Sequence, residues 1–122
     1  TRSLIQQHWA LANARRRSEF GQLLHPELRY EAPQTREYID FGAGYLEMFS
    51  TWPGDWKAEI RQLVCEEEQA ICIIDFNVGT ETMTGISVFE FKGRLISHVT
   101  DYWPEPYDPP PRVTPHMKRR PA

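Results

Sequence analysis

The sequence predicts an α+β domain, with helices gathered in the first half and a run of β-strands in the second. Three observations carry this. Apolar residues recur at helical spacing between Leu4 and Phe49. Four stretches rich in β-branched and aromatic residues follow between Trp56 and Trp103. The breaks between those four are short, as in a meander of successive antiparallel strands.

Taken in order, Ser3 is placed to cap a first helix over Leu4–Arg17. Leu4, Ile5, His8, Trp9, Leu11 and Ala12 form its apolar stripe. Arg15, Arg16 and Arg17 would complement its negative C-terminal pole. Ser18 would cap a short second helix burying Phe20, Leu23 and Leu24, ended by His25-Pro26. Leu28–Ala32 reads as a strand. Thr35 would cap a third helix to about Ser50, with Tyr38, Phe41, Tyr45, Met48 and Phe49 on one side. Gly42 and Gly44 are unfavourable there by about 1 kcal/mol each, which points to close packing against another backbone. The four strands are Trp56–Val64, Ala70–Val78, Met83–Phe91 and Arg94–Trp103. The second and third are apolar on both faces. Helices can cover only one side of so small a sheet, so a homodimer through the outer face is expected.

With 122 residues, 40% hydrophobic and 25% charged, the chain suits one folded domain. Its net charge of −3 argues against nucleic-acid binding. No apolar run is long enough to cross a membrane. Cys65 and Cys72 lack a metal or disulfide-framework spacing and suit a reduced, cytoplasmic protein. The four histidines are scattered and no glycine-rich phosphate loop occurs, so neither metal nor cofactor is expected. From Pro104 the chain holds seven prolines in 19 residues and should be extended. The domain is taken as residues 1–111, followed by a Pro-rich basic tail over 112–122.

The stretch GRLISHVTDYWPEPY, Gly93–Tyr107, carries the main chemical signal. Asp101 lies within an apolar strand, where a carboxylate is costly unless paired or used. Together with LLHPELRYEAP (Leu23–Pro33) and TWPGDW (Thr51–Trp56), this stretch resembles the SnoaL-like, polyketide cyclase type branch of the nuclear-transport-factor-2-like superfamily. The resemblance covers Leu4 to about Pro111. It implies a cone-shaped barrel, with a curved antiparallel sheet wrapped around three N-terminal helices and leaving a pocket. It does not select an activity, because this fold hosts isomerases, cyclases, dehydratases, epoxide hydrolases and binders.

By that resemblance, Asp101 matches the acid/base Asp of the polyketide cyclases, while Ser87 stands where their His does. Against the ketosteroid isomerases, Ala32 replaces the catalytic Asp, and His8 and Ser87 replace the oxyanion donors. Against the limonene-type epoxide hydrolases, Asp75 and Asp101 match two carboxylates, but Ile73 replaces the Arg. The resemblance therefore implies a cofactor-independent acid/base enzyme on a hydrophobic, oxygen-bearing compound. The alternative is a non-catalytic binding or accessory module, or a structural dimer with a filled core.

Asp101 is the expected proton carrier, with Asp75 or His8 as helper. Two carboxylates in one apolar cavity would raise at least one pKa. Each could instead be tied to structural donors, and His8 could be a core residue. Trp9, Tyr38, Phe41, Tyr45, Ser87, Phe89 and Trp103 are the expected pocket lining. The last strand is one residue longer than the isomerase pattern, which suggests a β-bulge. With a bulge His98 could face the cavity, and without one it faces away.

Overall fold

The computed structural model describes residues 1–121; Ala122, the end of the expected tail, lies outside them. Three helices and six strands alternate unevenly along the described residues. They are α1 (Arg2–Asn13), α2 (Arg17–Gly21), β1 (Leu24–Ala32), β2 (Glu37–Ile39) and α3 (Gly42–Thr51). Four longer strands follow: β3 (Trp56–Cys65), β4 (Gln69–Val78), β5 (Glu81–Lys92) and β6 (Leu95–Tyr102). The sheet order is β2-β1-β6-β5-β4-β3, an open, curved sheet with β2 and β3 at its edges. It is mixed rather than wholly antiparallel, because β1 runs parallel to β6.

The helix stripe of α1 is buried as Ile5, His8, Trp9 and Ala12. The helix stops at Asn13, short of the arginines, for two local reasons. The Asn13 amide donates to the Ala58 carbonyl at 2.7 Å and accepts from the Ala58 N–H at 2.8 Å, tying the helix end to β3. Arg15 then turns into the left-handed region at φ 59°, and its guanidinium lies 3.9 Å over the Trp56 ring. The β1 strand begins earlier than expected. His25-Pro26 lies inside it, and the register with β6 slips between Leu24 and Arg29, which accommodates a residue without an N–H.

Residues 37–39 form β2 instead of the start of a helix. The Thr35 hydroxyl bonds to the Ala32 carbonyl and the Glu37 carboxylate, and Arg36 at φ 63° completes a turn back onto β1. The helix starts only at Gly42. A Cβ at Gly42 would lie 2.6 Å from the His25 carbonyl oxygen, so the expected close backbone approach exists there. At Gly44 the close neighbours are the Ile39 and Phe41 side chains.

The hairpins of the long strands are tight. Val78 pairs with Glu81 across Gly79-Thr80, and Lys92 with Leu95 across Gly93-Arg94. Gly79 and Gly93 supply the positive φ that such turns need. The inner face carries Ala70, Cys72, Ile74 and Phe76 of β4, with Gly85, Ser87 and Phe89 of β5. In β6 the register slips between Glu90 and Phe91, leaving Ser97 as the bulged residue. The bulge lets Ile96 point inward together with Val99 and Asp101, two strand phases that could not otherwise coexist. After Tyr102 no further helix or strand forms through Pro121.

Candidate functional site

Asp101 occupies an inward position near the end of β6 and is only 6% exposed. Its neighbour across the ladder is Ser87 on β5, whose hydroxyl donates to Asp101 Oδ1 at 2.6 Å. Tyr30, inward on β1, brings its hydroxyl towards the same carboxylate. Burial pushes the Asp101 carboxyl up to about 6, against the opposing pull of the Ser87 and Tyr30 hydroxyls. Burial and the nearby Asp101 charge likewise hold the Tyr30 hydroxyl firmly protonated.

The carboxyl closes one side of a cavity walled by rings from every layer. Trp9 comes from α1, Phe49 and Met48 from α3, and Phe76 from β4. Trp52 and Trp103 complete it, stacked with ring centroids 6.4 Å apart and planes 18° apart. Phe76 meets both edge-on at 6.1 and 5.5 Å. Gly85 makes room for this arrangement, because a Cβ there would stand 3.0 Å from the Trp103 ring. The free volume inside is about 20 Å³, room for a single water. Trp52 is 41% exposed, so the mouth of the cavity is formed by a ring with one face in solvent.

Behind this cavity lies a second buried polar pair. His8 Nε2 stands 2.7 Å from the Tyr45 hydroxyl, with rings of Trp9, Phe20, Phe49 and Phe89 around the imidazole. Burial pushes the His8 pKa down to about 3, so the ring is neutral. His8 Nδ1 and Trp9 Nε1 find no hydrogen-bond partner among the described residues. His8 does not bond Asp101. Tyr45 stands between, bonded to His8 and raised in pKa by burial and the Asp101 charge.

Of the expected pocket residues, Trp9 and Trp103 line the cavity. Ser87, Tyr45 and Phe89 are buried around it without lining it. Four residues lie elsewhere. Asp75 points to the outer face of β4, where Arg61 grips it and holds its pKa low; no second carboxylate shares the cavity. Arg61 reaches Asp75 because it is the bulged residue of β3. His98 also faces outward, 2.7 Å from Glu90 and 3.6 Å from Glu31, because the bulge falls one residue before it. Tyr38 and Phe41 are 75% and 53% exposed, since β2 replaces the first turns of the expected helix. Tyr30 was the missed partner. Strand alternation alone places it on the face of Leu28 and Ala32, which are both buried. Trp52 lies at a helix end, where no periodicity reveals its direction.

No group of three His, Cys, Asp or Glu residues able to hold a metal ion occurs among the described residues. Nor is any helix among them long and apolar enough to cross a membrane.

The chain belongs to the SnoaL-like domain family, whose model matches residues 5–99. A candidate ketosteroid isomerase from Kribbella flavida is similar over 99% of this chain and 90% of its own, at 36% identity and a TM-score of 0.91. A nuclear-transport-factor-2-like protein of unknown function from Burkholderia xenovorans shares the fold at 21% identity and a TM-score of 0.79, over 89% of this chain and 86% of its own. A candidate SnoaL-like polyketide cyclase from Shewanella putrefaciens does so at 6% identity and a TM-score of 0.72, over 84% and 78%. No curated protein matches the chain.

Proposed function

We propose that this protein is a cofactor-independent acid/base enzyme, with Asp101 as the proton carrier, acting on a small hydrophobic compound that bears an oxygen. One observation carries the reading: Asp101 is buried at the wall of a ring-lined cavity, with its pKa raised to about 6. A carboxylate this basic removes a proton far better than an ordinary Asp, yet remains ionised at neutral pH. The rings supply apolar contact, and Tyr30 offers a hydroxyl held in its protonated form. Asp75 has no part in this chemistry, and His8 acts only through Tyr45.

The Kribbella protein's name suggests isomerisation at a carbon beside a carbonyl. In this chain Ala32 stands at the isomerases' base position, so Asp101 would have to move the proton from another wall of the cavity. Isomerisation, aldol-type cyclisation, dehydration and hydrolysis all fit a single buried proton carrier.

A second reading is favoured by the small free volume of about 20 Å³. In it the rings are a filled core and the protein is a structural dimer module without chemistry. In the enzymatic reading a ligand enters by swinging Trp52 or Trp103 out of the stack. A panel of small enolisable ketones and epoxides separates the two. Turnover by the wild type that Asp101→Asn reduces at least about a hundredfold, the usual scale of acid/base catalysis, supports the enzyme. Neither turnover nor ligand binding by either protein supports the filled core, and binding that survives Asp101→Asn without turnover supports a non-catalytic binding module.

A further inference from the structure

Across the wall from Asp101 lies a second, larger space. It holds about 400 Å³, within the range of small-molecule sites, between the end of α1, α2 and the end of α3. Leu11, Leu46 and Phe49 make it apolar, and Trp52 and Trp56 form part of its wall. Its rim carries Arg15, Arg16 and Arg17, and no carboxylate lines it.

The three guanidinium groups are differently engaged. Arg15 is spent on structure, donating to the Trp56 carbonyl at 2.8 Å, stacking on the Trp56 ring and facing the Asp55 carboxylate at 3.9 Å. Arg16 is paired with Glu19 at 2.5 Å. Arg17 donates to the Ser50 hydroxyl at 2.6 Å and has no carboxylate in ion-pair range among the described residues. A neutral partner leaves its charge uncompensated, with donors of its planar fork still free.

We propose that this groove binds an amphipathic anion, a carboxylate on a hydrophobic body, with Arg17 holding the head and the ring-lined wall holding the body. An aromatic and aliphatic wall beside one guanidinium without a carboxylate partner selects for that combination. A neutral apolar molecule would leave Arg17 without a counter-charge, and a small hydrophilic anion would leave the rings exposed. The site is separate from the Asp101 cavity and does not depend on its chemistry, although Phe49, Trp52 and Trp56 line both.

The test is binding of decanoate, decanol and decyl phosphate, followed by tryptophan fluorescence, since two indoles form the shared wall. Decanoate should bind more tightly than decanol by about fivefold, the scale of one exposed ion pair, and the gap should narrow at high salt. Arg17→Gln should bring decanoate down to the affinity of decanol. Arg17 is exposed, so its replacement should not disturb folding. Tighter binding of decyl phosphate would assign the head group to phosphate and overturn the carboxylate. Equal affinity for decanoate and decanol, no binding of either, or an Arg17→Gln variant indistinguishable from wild type would overturn the site.

Discussion

At Asp101 burial and hydrogen bonding pull in opposite directions, and burial prevails. A carboxyl raised from 3.8 to about 6 is neutral in folded and unfolded chains at low pH. As pH climbs through that interval, the unfolded chain ionises first and stability falls. The loss reaches about 3 kcal/mol once pH exceeds the folded value. His8, lowered to about 3, runs the other way: its contribution is present above the unfolded value of 6.5 and fades as pH falls. Comparison with Asp101→Asn cancels the His8 part. The variant should be more stable than wild type at pH 7 by roughly 2–3 kcal/mol and equal to it near pH 3.5, as read by urea unfolding. Asp101 itself was legible, because an isolated carboxylate in an apolar strand draws attention and alternation places it with Trp103. The direction of Asp75 was not. Both faces of β4 are apolar, so nothing in Ile71–Asn77 says which one meets the helices.

Single amides pin whole elements. Asn13 holds the end of α1 to Ala58, and the Gln34 amide holds both the N–H and the carbonyl of Trp103. Gln34 therefore fixes the exit of β6, and with it one wall of the Asp101 cavity. Gln34→Ala should cost about 1 kcal/mol in unfolding experiments. It should also shift Trp103 fluorescence towards that of a solvated indole; an unchanged spectrum would mean that Phe76 and Gly85 alone seat the ring. The long strands and both tight hairpins could be read from β-branched runs broken by Gly79 and Gly93. The β1–β2 hairpin could not. Thr35 followed by Tyr38 and Phe41 matches a helix start as well as a turn, and the pairing of Tyr30 with Ile39 decides between them.

Across the whole molecule, the sheet places its outer face opposite the helices. Val64, Ile71 and Val88 form one row there, and Ile73 and Ile86 the next. Val64 is 56% exposed and Ile71 47%. A second copy of this chain covering these rows would bury them, with the Arg61–Asp75 pair at one border and His98–Glu90 at the other. Light scattering at micromolar concentration should give a dimer, and Val64→Glu with Ile71→Asp a folded monomer; a monomeric wild type would remove the dimer from the account. The α+β class followed from element order, but the parallel pairing of β1 with β6 joins segments distant in sequence, and no local pattern encodes it. The central claim remains the basicity of one carboxyl in this sheet. Carbon-13 NMR of aspartate-labelled protein, with Asp101 assigned by its loss in Asp101→Asn, measures it directly. A midpoint near pH 6 is the predicted result; a midpoint at or below the ordinary 3.8 would contradict it and leave Asp101 a structural residue.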